Sequence, residues 1–182
     1  MTAREAPRLE TERLILRPFE AQDVDAQAAM MGDDVVMRYL GGHALSREDA
    51  WRKLLGGHAF WSLLGYGYWA VDRRSDGAMI GQIGFADFKR DVTPAIENIP
   101  EMGWLFARET FGQGYATEAV MAALAWADEA LGVDEIVAII DSDNGSSIRV
   151  AEKAGFEVRE EAQYRGEPIL LFRRRSNRCR DR

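Results

Sequence analysis

Apolar and polar positions alternate, cluster and recur along this chain in a pattern that marks most of its elements. Residues 9–16 set leucine and isoleucine among polar neighbours and predict a first strand, closed by Arg17-Pro18 because proline cannot donate into a central ladder. A short helical stretch follows over 23–31, then an irregular Gly32-Asp33-Asp34 segment. Ser46-Arg47-Glu48-Asp49 has the form of a helix start, with Ser46 as N-cap and Asp49 reaching back. Beyond it Trp51, Leu54, Leu55, His58 and Trp61 recur at three- and four-residue spacing, which predicts one apolar helical face. Gly65-Tyr66-Gly67 ends that run, and strands at 68–72 and 78–88 flank a loop containing Gly77, a hairpin signature.

Residues 89–98, broken by Pro94, predict an exposed loop, and 102–107 a further strand of large apolar side chains. Gly112-Gln113-Gly114 then opens into an alanine-rich helical segment, 115–131, stopped by Gly132. The all-apolar run 136–140 suits a strand covered on both faces. Asp143-Asn144 begins a second helix over 146–154, closed by Gly155. The runs 156–163 and 169–174 form a last hairpin around Arg165-Gly166. No repeat or long linker divides the chain. The order predicts one α/β (α+β) domain over 8–175 with a mixed sheet, and 1–7 and 176–182 as flexible ends.

Composition narrows this picture. A chain of 182 residues with 47% hydrophobic content can bury a sizeable single core. No apolar run approaches the ~20 residues of a membrane span, and the polar N-terminus lacks the form of a secretory signal. The single cysteine, Cys179, cannot form an intramolecular disulfide, which points to a reduced, cytoplasmic setting. Arg173, Arg174, Arg175, Arg178, Arg180 and Arg182 crowd the last ten residues and read as a frayed, solvated end. Without that stretch, 17 basic and 29 acidic residues leave a body of −12. Such a body repels nucleic acid and attracts cations, which suits an amine substrate as well as plain solubility.

The glycine turn is the most chemical feature. Glycines let backbone approach a ligand, and unpartnered amides at a helix N-terminus form a site for phosphate oxygens. A simple turn between elements is the other reading. The Walker pattern is absent, since no Gly-Lys-Ser/Thr follows. A dinucleotide fingerprint fits poorly, because Arg108 to Phe111 separate strand from turn and the preceding strands form a hairpin series.

The segment Phe111-Gly112-Gln113-Gly114-Tyr115-Ala116-Thr117-Glu118-Ala119 resembles the coenzyme A pyrophosphate loop of the GNAT acetyltransferases. Asn144-Gly145-Ser146-Ser147 through Lys153-Ala154-Gly155-Phe156 is similar to that superfamily's Asn-x-x-Ser…Lys-x-Gly-Phe segment. Three further stretches resemble the ribosomal-protein N-acetyltransferase (RimJ/RimL-type) branch: Thr11-Glu12-Arg13-Leu14-Ile15-Leu16-Arg17-Pro18, Met79-Ile80-Gly81-Gln82-Ile83-Gly84-Phe85 and Glu101-Met102-Gly103-Trp104-Leu105. Phe111 stands where many superfamily members carry glutamine or arginine. The resemblance spans residues 9–174.

The resemblance implies a mostly antiparallel sheet flanked by helices, with one splayed parallel strand pair. It also implies transfer of an acetyl group from acetyl-CoA to a primary amine in a ternary complex. Gly112, Gln113, Gly114, Tyr115, Ala116 and Thr117 would hold the pyrophosphate, and Leu105 and Phe106 the pantetheine arm, with Asn144 also bonding it. Glu101 would be the base, acting through water; Asp87 and Glu118 are its rivals, and a solvated strand-edge carboxylate is the plainer reading. Ser147 would donate to the leaving sulfur, or Ser146 or Ser147 would merely cap the helix, and Asn144-Gly145 would merely make a turn. Trp51, Trp61, Tyr66, Tyr68 and Trp69 would line a substrate pocket or pack the core. His43 and His58 lack any metal-ligand pattern, so no metal is expected. A peptide or protein N-terminus is the first acceptor expected and a small amine the next, with no membrane partner and a homodimer possible within the family. A non-catalytic acyl-CoA sensor and an interaction domain with a vestigial loop are the competing readings.

Overall fold

The computed structural model describes residues 5–176. Among the described residues nine strands form one sheet, in the order β1-β2-β3-β4-β6-β7-β9-β8-β5 when numbered along the chain. The run expected as one first strand is broken: β1 (Leu9–Glu10) and β2 (Leu14–Arg17) pair antiparallel with each other. Thr11 makes the break, its hydroxyl accepting from the Leu14 amide at 2.9 Å and its amide donating to the Leu14 carbonyl at 3.0 Å.

Helices α1 (Val24–Met31), α2 (Asp34–Met37) and α3 (Arg47–Leu64) follow. Helix α2 begins at the last residue of the segment read as irregular, started by the Asp33 carboxylate, which accepts from the Val35 amide. Ser46 caps α3 as expected, its hydroxyl accepting from the Asp49 amide, and Gly65 in the left-handed conformation closes it. The buried face of α3 is Ala50, Leu54, Gly57 and Trp61, whereas Leu55 and His58 point to solvent.

The hairpin β3 (Tyr68–Arg73) and β4 (Met79–Ala86) lies next to β2 and β6 (Glu101–Phe106). Between β4 and β6 the expected exposed loop instead buries Val92 and Ile96 and contributes a short strand, β5 (Val92–Thr93). Helix α4 (Tyr115–Ala130) leads to β7 (Glu135–Asp141), α5 (Gly145–Lys153), and the closing hairpin β8 (Glu157–Tyr164) and β9 (Glu167–Arg175).

Side-chain alternation along β6 sorts the layers. Met102, Trp104 and Phe106 join the main core under α4, where Ala119, Ala123 and Ala127 let that helix approach the sheet closely. Leu105 packs on the other face against Met30, Met31, Val36 and Met37 of α1 and α2. Trp61, Trp69, Phe85 and Trp126 meet edge-on or stacked, with ring centroids 4.7–6.2 Å apart, so Trp61 and Trp69 are core rather than pocket.

Both expected loose ends need correction within the described residues. Ala6 is buried and the Pro7 carbonyl accepts from the Trp69 indole at 2.7 Å. Arg173 and Arg174 belong to β9: Arg174 forms a buried fork with Asp128, and Arg173 bonds Glu135 and Glu160. Arg178, Cys179, Arg180 and Arg182 lie outside the described residues. No helix among the described residues is long and apolar enough to cross a membrane.

Candidate active site

The glycine turn begins where a 3-10 turn, Arg108–Thr110, leaves β6. Buried Thr110 anchors it, hydroxyl and amide both donating to the Ala107 carbonyl. Gly112 and Gly114 then take φ values of 75° and 82°, which L side chains adopt only under strain. Gly114 is the N-cap of α4 and offers no capping side chain, so the first-turn amides of Tyr115, Ala116 and Thr117 face outward without one. The Gln113 amide, grouped with them from sequence, instead turns inward to the Thr110 carbonyl at 3.4 Å.

Strand β6 carries the second feature. Its partner β7 runs parallel but pairs at one position only, Glu101 opposite Val137, where the Val137 amide donates to the Pro100 carbonyl at 3.0 Å. Beyond that point the strands splay. On its other side β6 pairs with β4 along its whole length, and the Ala107 amide extends this ladder to the Ile80 carbonyl. The alternation of an antiparallel ladder then directs the backbone groups of Gly103 and Leu105 to β4, and those of Trp104 and Phe106 into the gap. Leu105, expected to bond a ligand, is therefore committed to the sheet; Trp104, which sequence reasoning passed over, takes its place beside Phe106. Strand alternation, applied to the 102–107 run, is the signal that separates them.

The third feature is the head of β6, where Glu101 is only 6% exposed. Arg90, from the segment between β4 and β6, donates to its carboxylate at 2.7 Å and to the Tyr164 hydroxyl at 3.0 Å. The guanidinium lies over the rings of Phe88 and Tyr164, 4.4 and 5.0 Å from their centroids. Burial pushes the Glu101 carboxyl above its ordinary value; the Arg90 bond and charge oppose this without cancelling it, and Asp87 adds to it. The Tyr68 phenol is raised by burial and by the Glu101 charge. Its hydroxyl occupies the space a side chain at Gly103 would fill, which accounts for glycine there.

The rival carboxylates are otherwise occupied. Burial raises Asp87, but bonds from the Lys89 ammonium at 2.6 Å and from the amides of Lys89 and Asn98 outweigh it and hold the carboxyl below its usual range. Glu118 is buried enough to be pushed up, yet bonds from Thr11 and Arg13 bring it down. Glu101 is thus the carboxylate whose surroundings favour taking a proton.

Asn144 is the N-cap of α5: its side-chain oxygen accepts from the Ser147 amide at 3.1 Å and from the Ser146 hydroxyl at 3.0 Å. Neither serine is the cap. The half-buried Ser147 hydroxyl stands on the first turn of α5, beyond the C-terminal end of β7. The glycine turn, past the end of β6, lies at the same end of the parallel pair, and Glu101 at the other. The six residues of β6 set these ends apart by roughly 17–20 Å. That geometry suits an elongated ligand with phosphates at one end and its reacting group at the other. His43 bonds the Gly41 carbonyl through Nδ1, His58 is exposed, and among the described residues no cluster of three or more His, Cys, Asp or Glu could hold a metal ion.

Comparison with known proteins bears on this site. Residues 13–157 match the acetyltransferase (GNAT) domain. The chain is 32% identical over 152 residues to the uncharacterized N-acetyltransferase YoaA of Bacillus subtilis (strain 168), covering 83% of each protein. An acetyltransferase from Agrobacterium tumefaciens str. C58 superposes with a TM-score of 0.79 at 30% identity, over 92% of this chain and 94% of that one. The fold alone is shared with the Vibrio cholerae spermidine N-acetyltransferase in complex with CoA and spermine, at 16% identity, TM-score 0.71 and coverage of 91% and 97%. It is likewise shared with RimL, a ribosomal L7/L12 α-N-protein acetyltransferase in complex with CoA, at 17% identity, TM-score 0.74 and coverage of 93% and 98%.

Proposed function

The chain belongs to the GNAT acetyltransferase family and is an acyltransferase, and from that premise we propose that it moves an acetyl group from acetyl-CoA to a primary α-amine. One observation carries this reading: the outward amides of the α4 N-terminus, the open β6 edge and buried Glu101 form a single line. The amides of Tyr115, Ala116 and Thr117 would hold the diphosphate, aided by the helix dipole. Trp104 and Phe106 would hydrogen-bond the pantetheine as if it were another strand. Acetyl-CoA supplies the activated acetyl thioester. The residues of this chain hold it in line and remove a proton from the incoming amine.

Glu101 accepts the amine proton, through water. A lysine amine with a pKa of ~10.4 is about one part in 2,500 neutral at pH 7, a cost of roughly 4.6 kcal/mol. An α-amine near ~8 costs only about 1.4 kcal/mol. The second task asks far less of a carboxylate base, which supports a peptide or protein N-terminus as acceptor. The ribosomal-protein resemblance points the same way, and polyamines follow as the next class. The thiolate, of pKa ~8.5, needs no strong acid, and Ser147, which stands at the phosphate end of β6 and away from Glu101, takes no part in its departure.

The test is acetyl-CoA binding by calorimetry, followed by thiol release across a panel of N-terminal peptides, polyamines and aminoglycosides. Binding with peptide-dependent release is expected. Release only with polyamines would overturn the acceptor assignment, and binding without release from any amine would leave a sensor of acyl-CoA. Glu101→Gln is expected to keep acetyl-CoA binding while lowering kcat by about 10²–10⁴-fold, the usual worth of a positioned base.

A further inference from the structure

The Thr11-Glu12-Arg13 turn between β1 and β2 has no part in the mechanism above, yet its side chains end on the proposed phosphate loop. Arg13 donates from Nε to Glu118 Oε2 at 2.7 Å and from its backbone amide to Glu118 Oε1 at 2.9 Å. The Thr11 hydroxyl donates to the same Oε1 at 2.6 Å. Arg13 Nη1 donates to the carbonyl of Gln113 at 3.0 Å, inside the glycine turn. The guanidinium carbon lies 4.5 Å from the centroid of the Tyr115 ring, and Nη2 is 3.5 Å from where a side chain at Gly114 would begin. One arginine therefore bonds Gln113, lies over Tyr115 with Gly114 beside it, and holds the first-turn acid of α4.

That acid poses an electrostatic problem. A carboxylate in the first helical turn is favoured by the helix dipole when the helix is alone. Here the same amides are assigned to a diphosphate, and a free carboxylate beside them would repel it. Arg13 and Thr11 cover both oxygens with donors and bring a positive charge to the pair, which is 42% and 18% exposed at the two side chains. The bond to the Gln113 carbonyl also fixes which way that peptide faces: with its oxygen drawn back to Arg13, the amides after it are left toward the ligand.

Resting on the acetyl-CoA reading, we propose that Arg13 is a positioning residue for the donor: it orients the Gln113–Tyr115 loop and neutralises Glu118 so that the α4 N-terminus accepts a diphosphate. Arg13 acts through the loop and not on the reacting atoms. Its loss weakens donors that carry the diphosphate and spares those that end before it.

The experiment compares acetyl-CoA, 3′-dephospho-acetyl-CoA and S-acetylpantetheine as ligands of wild type, Arg13→Met and Arg13→Lys, by calorimetry and ligand-observed NMR, with thermal midpoints recorded for each protein. In Arg13→Met, Kd for both diphosphate donors is expected to rise about 10- to 100-fold, the range for a lost charge-assisted contact, while S-acetylpantetheine changes less than about twofold. Arg13→Lys keeps the charge without the fork and falls between. Adding Glu118→Gln to Arg13→Met is expected to recover part of the loss, since the repelling charge goes with it. Equal weakening of all three ligands would make Arg13 merely structural and overturn the proposal, as would no change in any. A loss confined to acetyl-CoA would place Arg13 at the ribose phosphate and also overturn it. Wild type that binds none of the three fails the acetyl-CoA reading itself, whereas wild type that binds with an indifferent Arg13→Met fails this inference alone.

Discussion

Glu101 and Asp87 show how neighbours separate two carboxylates that sequence left as rivals. Both are shielded from water, but Asp87 receives an ammonium and two amides, while Glu101 receives one guanidinium. Their proton affinities diverge in opposite directions as a result. Asp87→Asn is expected to change kcat/KM less than about tenfold at neutral pH, against the much larger effect of Glu101→Gln. Arg90 holds the Glu101 carboxylate down against burial, so removing it lets the carboxyl rise further. A base must be deprotonated to act; the acid limb of kcat/KM in Arg90→Met therefore moves to higher pH. A pH–rate profile with an unmoved or lowered limb would contradict this. Nothing in the sequence singled out Arg90, because its partners come from 11 and 74 residues away.

At the scale of elements, local chemistry was legible where it involved neighbours in sequence. The Ser46 cap, the Gly65 stop, the glycine turn and the α5 start all stand near where their residues put them. Signals failed where a polar residue had two local uses. Thr11 looked like one polar position in an alternating strand, but its hydroxyl makes a turn and splits that strand in two. Ser146 and Ser147 looked like caps, but Asn144 precedes them and uses both as donors. Asn144→Ala is expected to destabilise the protein by about 1 kcal/mol through the lost cap, while Ser146→Ala costs less than half of that; chemical denaturation of both variants measures it. The larger misreading concerned Leu105 and Trp104, where naming the right strand left open which of its residues face the gap. That choice depends on which partner stays paired, a fact of the whole sheet.

At the scale of the molecule, the fold class, the mixed sheet and the splayed pair were legible because motifs along 9–174 resemble one family in order and spacing. Arg173 and Arg174, read as part of a frayed end, were misjudged because composition cannot show that Asp128, Glu135 and Glu160 wait opposite them. Arg174 and Asp128 are each about nine-tenths covered and joined by two bonds of 2.9 and 2.7 Å, which tie β9 to α4. Losing this fork takes two charge-assisted bonds from a shielded carboxylate, so Arg174→Met is expected to cost about 2–4 kcal/mol in urea unfolding. Arg175→Met, at an exposed position of the same strand, is expected to stay within about 0.5 kcal/mol.

The single joint between β6 and β7 also bears on how such an enzyme can change. On the proposed reading, donor and acceptor ends share one strand but are furnished by different stretches of chain: the glycine turn and the β1–β2 turn at one end, the segment between β4 and β6 at the other. On that reading, substitutions in residues 87–99 would explore new amines while the donor end is inherited unchanged. Inserting one residue into β6 is a different matter, since it would flip Glu101 to the opposite face and end activity with every amine at once. Diversification is cheap at the loop and forbidden along the strand.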